Sequence, residues 1–579
     1  MPSAPTDREL PRHCRVSARC ATLVALAACA AALGAARAPA ATAQAAVAAP
    51  DAFGAAAAAE VLGRGGNAVD AAVALAFTLA VTYPEAGNLG GGGFATLVIR
   101  GKPYFLDYRE RAPRAASVRM YLDADGNAIP DASTVGAGAA AVPGTVAGLW
   151  ELHRRFAKLA WRTDLAAAIR YARQGFEVPA MLVAEREQRA RQLAGRTNFE
   201  RYFGTLAAGG TFRQPQLAAT LERIAAAGRD GFYRGRTAAL LLAQMSGGGH
   251  ITRADLRSYR VRWRAPLSGA WAGYQVITAP PPSSGGIMLL SLLAMRQDLA
   301  PAFQGVTRNS SQYVHLLAEM EKRVFADRAS YLGDPDFQPL PLAALLDPGY
   351  LARRAAEVDV HKLTATAAVQ PGLDPHHNTT HFSVLDRWGD AVSNTYTLND
   401  DFGGGVVVDG AGFLLNNEMD DFAIKPGMPN MYGVVGAAAN AIAPGKRPLS
   451  TMTPTILTRD GRVVLVIGTP GGSRIATSIF QVLSNWHDFG MTLPAAVASA
   501  RIHHQLLPPD TLYEEPYATL EPAVRAALAA RGYAFLTQDF NGDIEAIAVG
   551  AQGTVAVADP RGRGVGRVLV RKPTRSGVL

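Results

Sequence analysis

The chain has 579 residues, of which 49% are hydrophobic and 18% charged, with a formal charge of +9. That balance supports a packed core in one large domain or several, and it excludes a largely disordered chain. Lys and Arg form no dense stripe with interleaved aromatics, which speaks against nucleic-acid binding.

Residues 1–45 carry +3 of the charge and the remaining chain +6. Arg8, Arg12, Arg15 and Arg19 precede the apolar run "CATLVALAACAAALGAA", and Ala43-Gln44-Ala45 follows it. A basic start, an apolar stretch and an A-x-A site are the layout of a secretory signal peptide. Simple export is the expectation, periplasmic or extracellular. Leu26-Ala-Ala-Cys29 also fits a lipobox, which would leave Cys29 lipid-anchored, and the run is about long enough for a short membrane anchor. The three cysteines, Cys14, Cys20 and Cys29, all lie in this leader. A chain cut after Ala45 keeps none, so disulfides, thiolate metal sites and a Cys nucleophile are excluded together.

Residues 54–83 carry apolar positions at helical spacing, broken at Gly65-Gly66-Asn67, which predicts two helices, the second buried nearly all round. "ATLVIRGKPYFLDY" reads as two strands around a turn at Gly101-Lys102. From 140 to 260 the pattern is mostly helical, and 311–332 reads as another long helix. Residues 363–374 are small and polar and end in Pro-Gly-Leu-Asp, an exposed connection. Strand patterns then dominate: "THFSVLD-RWGD-AVSNTYTL" as a hairpin, then "GVVVDGAGFLLNN", "MTPTILTRDGRVVLVIG" and "IEAIAVGAQGTVAVADPR". Helices first and antiparallel strands last predict sheets covered by helices.

The chemistry has few candidates. There is no G-x-S-x-G elbow and no G-K-[ST] after a glycine run. His377 and His381 stand four apart, but in a strand-like stretch that spacing is about 13 Å, too far to share a metal. His503-His504 reads as structural. "PHHNTTHFSV" (375–384) places Thr379 where an exposed linker meets a strand. Cutting the Asn378–Thr379 bond would give the Thr379 hydroxyl its own α-amine as base, with a pKa near ~7.7–8. If Asp386 pairs with Ala391, Thr379 lies opposite Leu398 and beside Thr397. An ordinary strand start remains the alternative on these residues alone. "GTPGGSR" (468–474) follows an apolar strand, and the N–H groups of Gly471 and Gly472 suit an oxyanion. "NNEMDDF" (416–422) concentrates carboxylates that suit an ammonium group, and the flanking Phe413 and Phe422 argue for partial burial.

These stretches, with "GGNAVDAAVA", "AGNLGGGGF", "DYRERAP", "PGTVAGL", "PPPSSGG", "FADRASYLGDPDF", "NAIAPGKRPLSTMTPT" and "RIHHQ", closely resemble the γ-glutamyltranspeptidases (glutathione hydrolases), which are N-terminal-nucleophile hydrolases. The likeness runs from about residue 52 to the C-terminus. It implies an α+β fold, a four-layer αββα sandwich built from two fragments of one precursor. After a leader at 1–45, a large subunit would span 46–378 and a small one 379–579, held as a heterodimer. It implies Thr379 as nucleophile, Thr397 as its support, and Gly471 and Gly472 as the oxyanion hole. Asn399, Glu418 and Asp421 would bind the γ-glutamyl α-amino group, and Arg109, Ser450 and Thr451 the α-carboxylate. Tyr432, in the segment 426–437, would sit in a lid loop. Glutathione and other γ-glutamyl compounds are the implied donors, and amino acids or peptides the acceptors. Neither metal nor organic cofactor is implied.

Two departures stand out. Thr451 occupies a position where the family usually has Ser. Asp400 and Asp401 follow Asn399 where uncharged residues are common, so acidic acceptors are expected to be disfavoured. Two alternatives stay open: a glutaryl-cephalosporin acylase of the same fold, and an unprocessed, non-catalytic binding relative.

Overall fold

In the computed structural model the described residues are 44–369, 380–425, 431, 438–538 and 542–570. Helix α1 (Ala52–Gly63) and helix α2 (Ala68–Thr82) flank the expected break. Asn67 starts α2 by accepting from the amides of Val69 and Asp70 at 3.0 and 3.1 Å, while the Asp70 carboxylate accepts from the Asn67 amide at 2.8 Å. This reciprocal cap satisfies amide groups that the first helical turn leaves open. Every residue of α2 is buried, as its all-round apolar pattern predicts.

Among the described residues, thirteen strands form two antiparallel sheets. They are β1 (Ala45–Ala49), β2 (Gly92–Ile99), β3 (Lys102–Asp107), β4 (Arg262–Arg264), β5 (Leu267–Trp271), β6 (Tyr274–Thr278) and β7 (Thr380–Leu385). The others are β8 (Ala391–Thr397), β9 (Thr455–Arg459), β10 (Arg462–Gly468), β11 (Glu545–Gly550), β12 (Gly553–Ala558) and β13 (Val565–Leu569). One sheet runs β13-β1-β7-β8-β2-β3-β4 and the other β12-β11-β10-β9-β6-β5.

Alternation along the strands sorts side chains into layers. Ala46, Ala48, Leu385, Ala391, Ile456, Val466 and Ile547 pack between the two sheets. Val47, Ala49, Val384 and Val392 face the opposite way, onto α1, α2 and neighbouring helices. Leu457, Leu465 and Ile467 point from the second sheet to α6 (Gly285–Asp298), α7 (Ser311–Tyr331) and α8 (Ile475–His487), by way of Leu289, Leu316 and Phe480. The result is the four-layer αββα sandwich. No helix among the described residues is long and apolar enough to cross a membrane.

Three local expectations need correction. The first turn centres on Arg100-Gly101, both at positive φ (51° and 71°), one residue before the expected pair. Two such residues suit the tight turn of a twisted hairpin. The β7–β8 register pairs Leu385 with Ala391 and Thr380 with Tyr396, one step from the expected pairing. The cause is a three-residue loop: the Asp386 amide donates to the Asp390 carbonyl at 3.0 Å, and Gly389 takes φ 84°. Finally, "GVVVDGAGFLLNN" forms no regular strand. Gly405, Gly410 and Gly412 are at positive φ, leaving only the isolated bridges of Val407 to Leu414 and Gly90 to Leu415.

Candidate active site

Arg109 sits just past the end of β3, where its amide donates to the Asp107 carboxylate at 2.9 Å. Its guanidinium is fully buried. It forms charge-assisted bonds to Glu418 and Asp421, contacts Glu110 at 3.4 Å, and donates to the carbonyls of Pro448 and Leu449 at 3.3 and 3.2 Å. Glu418, Asp420 and Asp421 share one short 3-10 turn and are buried outright, beyond the partial burial expected. Burial opposes the Arg109 charge, but Glu418, Asp421 and Glu110 outweigh it and raise its pKa. Burial, and then the Glu418 charge, push Asp421 and Glu110 well above the usual carboxylate range. Asp420 is pushed up to about 6 by burial, against hydrogen bonds from Ser133 and the Met431 amide.

The sequence expected Arg109 and the acids to read opposite ends of a substrate. In the structure they bind one another. An internal ion pair of this kind matches a zwitterion: an ammonium can replace the guanidinium on the acids while a carboxylate takes the freed fork.

From this cluster one chain of hydrogen bonds reaches the other predicted residues. Asn399 Nδ2 donates to the carbonyl of Asn417, next to Glu418, at 3.1 Å. The Asn399 amide donates to the Thr397 hydroxyl at 2.7 Å, so the last residue of β8 is tied to the same loop. On the opposite side, Leu449 leads into Ser450, whose hydroxyl accepts from the Met452 amide at 3.2 Å and whose carbonyl accepts from the Ser284 amide at 2.7 Å. Thr451 Oγ1 donates to the carbonyl of Gly472 at 2.9 Å. Gly471 and Gly472 form the turn between β10 and α8 at φ 128° and 60°. A Cβ on Gly471 would also press on Gly542 at 3.2 Å.

Arg109, Thr397, Asn399, Glu418, Asp421, Ser450, Thr451, Gly471 and Gly472 are thus brought together. Thr379, Tyr432, His377 and Cys29 lie outside the described residues. Thr380 starts β7, and its buried hydroxyl has no hydrogen-bond partner among the described residues. His381 is buried between the hydroxyls of Thr395 and Ser383 at 2.9 and 3.1 Å. His503 and His504 are buried in the core near α7 and α8. Sequence reasoning missed Glu110 and Asn417. Their signal was adjacency: one follows Arg109 in "DYRE", the other precedes Glu418 in "NNE".

Comparison with known proteins gives the same picture. The sequence profile described as Gamma-glutamyltranspeptidase matches residues 54–569. The glutathione hydrolase proenzyme of Pseudomonas aeruginosa is 60% identical over 518 residues, covering 89% of this chain and 92% of the relative. A solved γ-glutamyltranspeptidase chain from Pseudomonas nitroreducens, complexed with L-DON, is 57% identical, with TM-score 0.56, over 56% of this chain and 97% of its own length. A cephalosporin acylase from Bacillus halodurans is 25% identical, with TM-score 0.78, over 92% of this chain and 97% of its own. With its buried Arg109–carboxylate cluster linked to a glycine turn in an αββα sandwich, the chain belongs to the γ-glutamyltranspeptidase family.

Proposed function

We propose that the protein is an exported, self-processing γ-glutamyl hydrolase and transferase acting on glutathione and related γ-glutamyl compounds. The observation that carries this reading is the buried Arg109–Glu418–Asp421 cluster, which offers both charges needed to hold an α-amino acid. Family membership supports the reaction class. Cleavage of the Asn378–Thr379 bond yields a large fragment ending at 378 and a small one starting at 379, which remain together as a heterodimer. In the cleaved protein Thr379 would be the chain end directly before Thr380, which pairs with Tyr396.

The Thr379 hydroxyl oxygen then attacks the γ-carbonyl carbon, and its own α-amine takes the proton. The carbonyl oxygen becomes the oxyanion received by the N–H groups of Gly471 and Gly472. Collapse breaks the C–N bond, the departing amine takes the proton, and a γ-glutamyl ester remains on Thr379. Water gives glutamate, while an amino-acid or peptide amine gives a new γ-glutamyl amide. Asn399, Glu418 and Asp421 hold the substrate ammonium, and Arg109 with Ser450 holds its carboxylate. Family membership supports a covering role for Tyr432. The basic, apolar, A-x-A layout of residues 1–45 supports export.

Intact mass of the purified protein tests the cut, and γ-glutamyl-p-nitroanilide tests the activity. Two fragments, with turnover abolished in Thr379→Ala, are expected. A single uncut band after long incubation, or undiminished turnover in that variant, would sink the proposal. The glutaryl anilide is the control for an acylase, and a site built to bind an ammonium should turn it over poorly.

A further inference from the structure

The loop that leaves β8 carries Asn399 and bends sharply. Asn399, Phe402, Gly403 and Gly405 all have positive φ, at 80°, 58°, 55° and 70°. Two of these are not glycine, and such backbone persists only when its surroundings hold it. The Phe402 amide donates to the Glu85 carbonyl at 2.8 Å, and the Asp400 amide to Asn417 Oδ1 at 3.1 Å.

Arg189 grips the loop from helix α5 (Ala180–Leu193; α3 is Thr145–Phe156 and α4 Trp161–Gln174). It is 5% exposed although most of its helix faces water. One guanidinium nitrogen lies 2.7 Å from the Asp400 carboxylate and donates to Gln192 Oε1 at 2.5 Å. The other donates to the Gly403 carbonyl at 2.5 Å. The rigid planar fork therefore fixes both limbs of the turn, which a lysine point charge would not do.

Asp400 is the unusual acid next to Asn399. The sequence suggested that it repels acidic acceptors. Its ion pair with the buried Arg189 matches that charge and leaves Asp400 half-buried, while Asp401 stands exposed. Burial raises the Asp400 pKa and Arg189 opposes that rise. Asp400 also acts electrostatically on Asp420, one residue from Asp421.

We propose that Arg189, paired with Asp400, is a positioning residue for substrate binding: it holds the loop that presents Asn399 to the substrate ammonium. The proposal rests on the γ-glutamyl reading of the site. Without the guanidinium, the half-buried Asp400 carboxylate loses its cation, and the loop must relax to hydrate or protonate it. Asn399 then moves with it.

The test uses the full-length processed protein and its variants R189M, R189K, D400N and D400T. KM and kcat are read with γ-glutamyl-p-nitroanilide, L-glutamate binding by calorimetry, and fragment integrity by gel. For R189M, KM is expected to rise about tenfold with a smaller change in kcat, the signature of lost binding. R189K restores part of it. D400N, which keeps an acceptor for the fork, raises KM by about threefold. KM and glutamate affinity within about twofold of wild type in both R189M and D400N, with both fragments present, would overturn the proposal. If R189M fails to fold or cleave, D400N and D400T decide by the same readout. Wild-type protein without γ-glutamyl turnover overturns the reading of the site itself, whereas normal wild-type turnover with unchanged variants overturns only the role of Arg189.

Discussion

Thr451 donates its hydroxyl hydrogen to the carbonyl of Gly472 at 2.9 Å, tying the segment before β9 to the turn that follows β10. The family resemblance gives that hydroxyl to a substrate carboxylate, and in the structure it braces the turn. Thr451→Ala should therefore lower kcat more than it raises KM, by about tenfold, less than the loss of an oxyanion donor itself. Thr451→Ser keeps the bond and should stay near wild type. Steady-state kinetics on the two variants separates bracing from binding.

Arg109 is ion-paired with Glu110, Glu418 and Asp421 at once, all four groups being fully buried. Arg109→Met should cost roughly 3–5 kcal/mol, the usual result of removing one partner of a buried pair. Arg109→Lys should recover part of the stability without recovering γ-glutamyl affinity, because one ammonium cannot span Glu418, Asp421 and two carbonyls. Denaturant unfolding and KM measured on both variants check this.

Gly91 admits the chain end of β8. A Cβ there would stand 1.9 Å from the Thr397 carbonyl. Gly91→Ala should displace Thr397 and Asn399 together, losing about 2 kcal/mol or more of stability along with fragment formation. Gly63→Ala is the control. It lies in α1 with nothing within 4 Å of an added Cβ, so melting should be unchanged or slightly higher.

Burial lowers the His381 pKa to about 3, so the ring is neutral in the folded protein. The unfolded chain binds a proton near ~6.5. The stability from this neutral ring is complete above that pH and is lost as pH falls toward 3. The slope is up to about 1.4 kcal/mol per pH unit. His381→Gln should flatten the acid limb of an unfolding-versus-pH curve by that amount. His503, held at about 3 by burial first and then by Arg474, should behave alike.

Much of this was legible in the residues. The helix break at Gly65-Gly66-Asn67, the buried helix after it and the hairpins after residue 380 follow from local chemistry, where one or two side chains decide. The β7–β8 register did not, because it depends on whether the loop holds three or four residues. That was settled by Gly389 turning left-handed and by Asp386 accepting from the amides of Trp388 and Asp390. The site residues came from family resemblance more than from spacing. What neither source supplied is how they meet: that Arg109 binds Glu418 and Asp421 directly, or that Arg189, on a largely exposed helix, reaches Asp400. Contacts between residues hundreds of positions apart leave no periodic trace.

The strand order β13-β1-β7-β8-β2-β3-β4 carries one more consequence. A cut at residue 378 assigns β1, β2, β3 and β4 to one fragment and β13, β7 and β8 to the other, so the two are interlaced within a single sheet. β1 is zipped on both edges to strands of the other piece. Such fragments share no seam along which to part. Pulling them apart means melting the sheet, so swapping of fragments between two molecules should be no faster than global unfolding. After the cut, the protein is two chains by covalent count and one body by mechanics.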